Sequence, residues 1–510
     1  MLFNSFNFLF AFLPVTMAGF FLLARRGSGA AVAWLAAASL FFYGWWDSRY
    51  VALLLASISF NYCCALRIQV AQRQSAKKRW LVLAVSANLL LLGYYKYANF
   101  FIASATALGA THFPALDIVL PIGISFFTFT QIAFLVDACR GKVNDYRLIH
   151  YILFVTYFPH LIAGPVLHHK QMMPQFDQAR QFSRSHLAVG LSIFCIGLAK
   201  KVLLADNLAP HANSLFDGTA APTLLLAWGG VLAYAFQLYF DFSGYSDMAI
   251  GLSRLFGIHL PLNFDSPYKA TSISQFWRRW HMTLSHFLRD YLYIAIGGNR
   301  CGPLRRTLNL MVTMLLGGLW HGAGWNFAIW GCLHGLFLII HQGWGAIARR
   351  LGLACDAIAW KMSATALTFA MVCCAWVFFR AADLATSLKI LQGMSGGFGI
   401  SLPAALGSHL GNLKPAFENA GVHFFLGGGG QFLANWCWVA TAAFIVFSLP
   451  NTQQIMCQPE PVLAIETGAG RTAPRWIWSP SPRWAVALGL LAVAGLLSLS
   501  HPSDFLYFQF

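Results

Sequence analysis

The sequence predicts an all-α integral membrane protein, a polytopic helical bundle of about ten to thirteen membrane segments with some re-entrant or interfacial helices. Three observations predict it. Hydrophobic residues make up 58% of the 510-residue chain. Charged residues make up 10%, where soluble domains carry roughly 25%, so several water-facing domains would lack a polar coat. Apolar runs of near-spanning length recur along the whole chain, divided by short basic loops. Residues 1–510 therefore read as one polytopic domain rather than the three or so soluble domains that length alone allows. The same composition excludes a disordered chain and a secreted disulfide scaffold.

The apolar runs lie at 6–24, 30–46, 49–66, 80–95, 118–136, 148–166, 187–204, 222–240, 308–319, 325–342, 362–379, 432–449 and 483–500. A hydrocarbon core of ~30 Å needs about 20 helical residues, so the shorter runs imply tilted or broken segments. The first run lacks a basic n-region and a small-residue cleavage site, and reads as a membrane segment rather than a cleaved signal. The stretch 392–431, with four consecutive glycines at 427–430, reads as a loop with some surface helix. The stretch 450–482 holds six prolines and reads as a polar connection before the last span.

Orientation follows from the loops. Loop 67–79 carries Arg67, Arg73, Lys77, Lys78 and Arg79 without an acid, and loop 138–148 carries Arg140, Lys142 and Arg147 against Asp145. Placing both in the cytoplasm puts Arg25 and Arg26 there too and leaves the N-terminus outside. The net charge of +17 thus reflects membrane topology, and no nucleic-acid partner is expected. The 11 cysteines form no CxxC; the adjacent pairs Cys63–Cys64 and Cys373–Cys374 sit in apolar runs as small hydrophobes.

Segment 262–307 breaks the pattern. Lys269, Arg278, Arg279, Arg289, Arg300, Arg305 and Arg306 stand against Asp265 and Asp290, with Phe276, Trp277, Trp280, Leu284, Phe287, Leu288 and Tyr291 between them. That 3–4 spacing predicts an amphipathic helix over 271–296, too charged to span, lying on the cytoplasmic face. Its basic side suits anionic lipid headgroups or a phosphate-bearing donor, with Arg278 and Arg279 as donor contacts.

Ionisable residues at membrane depth cost ~2.5–3.5 kcal/mol each on insertion scales and mark functional candidates. His321 sits in Gly317-Gly318-Leu319-Trp320-His321-Gly322-Ala323-Gly324. From Arg306, 15 helical residues rise about 22 Å, which places His321 deep in the membrane. A neutral imidazole there can take a proton from a hydroxyl nucleophile; the alternative is a histidine hydrogen-bonded between closely packed helices. His281, on the 271–296 helix, pairs with it or is structural. Asp241 and Asp247, with Tyr245, lie in Phe240-Asp241-Phe242-Ser243-Gly244-Tyr245-Ser246-Asp247 and form either a proton relay that orients a histidine or a satisfied network between helices. His160, His168 and His169 lack acidic or cysteine companions, so no metal site is expected. Walker and HExxH motifs do not occur.

Three stretches carry a resemblance: QLYFDFSGYSDMAIGL (237–252), FWRRWHMTLSHFLRDYLYIAIGGNR (276–300) and MLLGGLWHGAGWNFAIWGCLHG (314–335). They resemble the membrane-bound O-acyltransferase family, in its bacterial branch that acetylates exported polysaccharide. LPIGISFFTFTQIAFLVDACRG (120–141) and YFPHLIAGPVL (157–167) add weaker support. The resemblance covers about 1–380, with the core motifs inside 118–345; the tail is recognisable only by its hydropathy. It implies a helical ring around a thin centre, His321 as the catalytic histidine and His281 as its upstream partner. It implies acetyl transfer from a cytoplasmic thioester, acetyl-CoA, across a bacterial inner membrane to alginate or another polysaccharide, with periplasmic acetyltransferase partners and export machinery. One departure is His168, where the alginate-acetylating members of the branch carry an arginine after GPVL. The rival within enzymes is transfer of another acyl group such as D-alanyl. The rival of another class is a proton-coupled transporter or flippase with His321, Asp241 and Asp247 as a relay, but the chain shows no pair of similar halves.

Overall fold

The computed structural model describes residues 1–109, 114–143, 146–178, 182–352, 357–456, 476–500 and 505–506. Among these, seven helices are long and apolar enough to cross a membrane: Arg49–Val70, Gln74–Ala107, Arg184–Phe216, Leu224–Leu255, Trp325–Arg350, Ile358–Arg380 and Gly429–Ser448. Four shorter apolar helices, Phe8–Ala24, Ser28–Gly44, Ile124–Cys139 and Pro482–Leu497, complete a multi-pass all-α membrane protein. Helices dominate because every backbone group in hydrocarbon must be paired within its own segment.

The 32-residue helix Leu224–Leu255 is the central post, with nearly every side chain from Ala233 onward buried. It lies against Arg184–Ala199 through small residues. A Cβ on Gly197 would come within 2.7 Å of the Gly244 carbonyl, and one on Gly251 within 2.6 Å of the Gly190 carbonyl. Without a water-driven hydrophobic force inside lipid, such close backbone approach is what holds membrane helices together.

Helix Arg49–Val70 fixes the two faces. Its 22 residues put its ends about 33 Å apart. The basic loop 67–79 is at one end, and Trp46 and Asp47 precede the other. Gln69 Nε2 donates to the Val143 carbonyl (3.3 Å), so the second basic loop shares the face of the first. Asp145 of that loop lies outside the described residues.

Three expectations need correction. The run 148–166 is not one span: Leu148–Thr156 stops, and a short helix Phe158–Leu161 restarts with Pro159 in its first turn. Proline lacks the N–H that a continuous helix would need there, and its ring would strike the preceding turn. The helix over 271–296 is likewise broken. Ile273–Trp277 is capped by Ser272 Oγ, which accepts from the Gln275 N–H. The chain then turns, and Met282–Phe287 and a wide turn Leu288–Tyr293 follow. The break exists because residues 263–265 claim its backbone: the Asp265 N–H donates to the Arg279 carbonyl and the Met282 N–H to the Asn263 carbonyl, both at 3.0 Å. The amphipathic faces survive, with Phe276, Trp280, Leu284 and Phe287 buried and Arg278 and Arg289 exposed. Within 392–431 the two short helices Ala404–His409 and Lys414–Asn419 accompany a parallel pair of strands, Ile400–Pro403 with Val422–Phe425, in register 400 to 422. Of the proline-rich connection 450–482, residues 457–475 lie outside the described residues, and Thr452–Ile455 is a helical turn.

Candidate active site

His321 is the last residue of helix Gly302–His321. The chain leaves through Gly322 and Gly324, both extended, and reverses into Trp325–Arg350. The two helices pack through glycine: a Cβ on Gly318 would strike the Phe327 carbonyl, and one on Gly331 the Met314 carbonyl. The glycines therefore set helix contact, while aromatic rings surround the imidazole. Trp330 and Phe379 stand with ring centroids 5.2 Å from His321, and Trp320 at 5.0 Å.

The second histidine arrives from the broken segment. His281 has φ 43°, a left-handed backbone uncommon for a side-chain-bearing residue, and is fully buried. The break turns its ring inward instead of leaving it on the face of a surface helix beside Trp277 and Arg278. Its centroid is 6.4 Å from that of His321, 6.1 Å from Trp320 and 4.9 Å from Phe242.

Asn263 decides the tautomer of His281. Asn263 Oδ1 faces the Thr283 N–H (3.3 Å), the Thr283 hydroxyl (2.9 Å) and His281 Nδ1 (3.1 Å). A backbone N–H can only donate, so the Asn263 atom facing it is the oxygen, and Nδ1 must carry the proton it gives to that oxygen. Nε2 is left with its lone pair, buried and without a hydrogen-bond partner among the described residues. Thr283 Oγ1 in turn accepts from the Val166 N–H (2.9 Å), which ties the LIAGPVL stretch to the site.

The end of the His321 helix is closed from a third direction. Helix Gln74–Leu92 continues through a wide π-helical turn, Gly93–Tyr97. From that turn Lys96 Nζ donates to the carbonyls of Trp320 (2.7 Å) and His321 (3.0 Å), and the Tyr97 hydroxyl donates to that of Leu319 (2.6 Å). A cavity of about 350 Å³ adjoins this corner, lined by Met1, Trp46, Lys96, Pro121, Ser125 and Trp320 among others. Its outer lining belongs to the face opposite the basic loops.

Toward the basic face an aromatic column descends from Trp320. Phe129 stacks on Trp320 (5.4 Å) and on Phe287 (4.4 Å), and Phe287 meets Tyr291 at 5.1 Å. The Tyr291 hydroxyl donates to Asp137 Oδ2 (2.8 Å), and His168 stacks on the Tyr291 ring at 5.6 Å. Arg140 lies over the other part of this group, 5.7 Å from the Tyr291 ring centroid. Burial pushes the His168 imidazole below its ordinary value, opposed by the Asp137 charge; burial and the Asp137 hydrogen bond push the Tyr291 phenol up. His169 approaches the same Asp137 Oδ2 at 3.6 Å, so His168 and His169 share one Tyr291–Asp137 group whose acid the sequence did not reveal, while His160 Nε2 is 2.9 Å from the Phe154 carbonyl.

Asp241 and Asp247 do not join the histidines. Asp241 pairs with Lys201 (2.6 Å) and accepts the Leu506 N–H (3.1 Å). Asp247 pairs with Lys200 (2.6 Å) and accepts from Thr452 Oγ1 (2.6 Å) and Gln453 Nε2 (3.1 Å). The relay is thereby replaced by a satisfied network that ties the central helix to its neighbours. Tyr245 does not join that network: its ring packs between Phe3 (4.9 Å) and Phe505 (4.4 Å), and its hydroxyl bonds neither aspartate. Arg278 is exposed and Arg279 half-buried, in the turn before His281. Sequence reasoning missed Asn263, Lys96 and Tyr97, and it missed His334, which is fully buried with its ring 4.8 Å from Trp330. A lone lysine ending an apolar run was the one signal for Lys96.

A family model described as MBOAT, membrane-bound O-acyltransferase family, matches residues 40–385. A peptidoglycan O-acetyltransferase of Helicobacter pylori is 46% identical over 431 residues, 79% of this chain and 81% of its own length. The probable alginate O-acetylase AlgI of Pseudomonas aeruginosa is 44% identical over 400 residues, 77% of this chain and 75% of its own. That of Pseudomonas fluorescens is 38% identical over 522 residues and aligns with the whole of both chains, so the similarity extends through the tail.

Proposed function

This chain belongs to the membrane-bound O-acyltransferase family, and from that premise we propose that it is an acetyltransferase for a polysaccharide outside the cytoplasm. The acyl donor is a cytoplasmic thioester, acetyl-CoA. The acceptor is a hydroxyl presented from the other face, on a polysaccharide or on a periplasmic acetyltransferase partner that delivers to it beside the export machinery. The membrane is the bacterial inner membrane, with the N-terminus outside. Acetyl rather than D-alanyl is favoured by relatives named for acetyl transfer at 38–46% identity.

The observation that carries the reading is the meeting of His281 and His321, from two separate motifs, beside a cavity on the face opposite the basic loops. In the reaction the acceptor O–H bond breaks and a new C–O bond forms to the acetyl carbonyl carbon. The C–S bond breaks, the thiolate leaves, and the hydroxyl proton passes through a histidine to the leaving sulfur. His321 is the general base. His281 assists from the donor side, its Nε2 lone pair held available by Asn263. Arg278 and Arg279 meet donor phosphates, and membrane lipids cover the apolar exterior. The lysine partners of Asp241 and Asp247 argue against a transporter relay.

The test is His321→Ala and His321→Gln in cells, read as acetyl content of the polysaccharide per folded protein in the membrane. General base catalysis supplies about 10²–10⁴-fold, so both variants should fall to background. Near-normal acetylation with glutamine, which keeps size and hydrogen bonding but takes no proton at neutral pH, would refute the base assignment.

A further inference from the structure

An α-helix leaves its last four carbonyls without intrahelical partners. The common remedy is a left-handed residue just past the end, whose N–H folds back onto them. The His321 helix cannot use it. Gly322 has φ −155° and ψ 150°, fully extended, so the chain departs straight from His321. The carbonyls of Leu319, Trp320 and His321 are instead met by the side chains of Lys96 and Tyr97. An ammonium at this end also meets the negative pole of the helix dipole.

Two further features bear on this lysine. It stands on a π-helical turn, a local widening frequent at functional sites, as Lys200 and Lys201 do on another. The turn sets two consecutive side chains against one helix end. Lys96 also lines the 350 Å³ cavity beside Trp320, so the residue that holds the backbone of His321 also borders the space an acceptor would enter. Two of its three N–H groups are used by the two carbonyls, and an ammonium has no acceptor function that would compete.

We propose that Lys96 is a positioning residue for the transfer reaction: it pins the His321 backbone next to the cavity that Trp320 lines and so holds the imidazole in its reactive place. The proposal rests on the transferase reading above. A displacement of about 1 Å at a reacting group costs on the order of 100-fold in rate, so the loss of Lys96 should appear in turnover and not in donor affinity.

Inverted membrane vesicles carrying the full chain and its native export components are given labelled acetyl-CoA at varied concentration, with rates normalised to folded protein. Lys96→Met should lower kcat by about 10- to 100-fold with the donor KM within about twofold. Lys96→Arg, which keeps the charge and several donors, should recover most of that loss. Tyr97→Phe, which removes one neutral bond, should lose less than Lys96→Met. If Lys96→Met does not insert, Lys96→Gln is judged by the same criteria. Wild-type kcat in the neutral variant, or equal losses for Met and Arg, overturns the positioning role. His321→Ala and vesicles lacking the chain run alongside: equal transfer without the chain fails the transferase reading, retained transfer in His321→Ala fails the base assignment and with it the positioning role, and a dead His321→Ala beside a normal Lys96→Met removes only the role of Lys96.

Discussion

Replacing Lys201 separates structure from chemistry in this fold. Lys201 and Asp241 are almost fully buried, 2.6 Å apart, and Lys201 also reaches Asp206 at 2.9 Å. Lys201→Met leaves Asp241 charged in the interior with, among the described residues, the Leu506 N–H alone to answer it. Breaking a buried pair in this way costs about 3–5 kcal/mol. Asp241→Asn is milder, because Lys201 keeps Asp206 and the amide oxygen still accepts from Leu506; losing one charge-assisted bond costs about 1.5–3 kcal/mol. Lys201→Met with Asp241→Leu should recover much of the loss, since a buried pair replaced by apolar groups is often neutral. Asp206, partly exposed, can turn to water. The assay is the thermal midpoint of the detergent-solubilised protein, followed by size-exclusion chromatography after heating. At roughly 2 °C per kcal/mol the single lysine variant should fall on the order of 6–10 °C. Acetylation per folded protein should stay near normal in all three. An Asp241→Asn variant that is stable and fully inserted, yet inactive, would refute the reasoning and return the aspartate to a proton path.

Two further outcomes follow from the geometry. Asn263→Leu removes the acceptor that holds His281 Nδ1, so the ring loses its fixed tautomer; kcat should fall by about 10-fold or more with protein level preserved, and Asn263→Asp should be the better tolerated variant because it keeps an acceptor there. Single-cysteine labelling in intact cells should find loops 67–79 and 138–148 protected together and residues 44–48 reactive, and labelling of 67–79 from outside would invert the donor side.

The hydrophobic pattern reported burial well and continuity poorly. Phe276, Trp280, Leu284 and Phe287 are buried as their spacing requires, yet they occupy two short helices instead of one. Periodicity cannot see the backbone of residues 263–265 arriving from elsewhere to take the bonds that would have continued the helix. That break is what brings His281 inward, so the feature the pattern missed is the one that assembles the site. His321 was legible because an ionisable residue at depth is costly wherever it falls. Asn263 was not: an asparagine in a loop carries no signal until its three donors are placed around it. The aspartates were legible in principle. Lys200 and Lys201 stand in one nearly charge-free run and Asp241 and Asp247 in the next. Isolated charges of opposite sign in neighbouring membrane helices have few ways to be neutralised other than by each other. The observed 2.6 Å contacts are therefore what the same cost argument yields once it is applied to both helices together. Applied to Lys96, whose neighbours in the chain offer no acid, that argument leads instead to backbone carbonyls, and the last turn of the His321 helix supplies two of them.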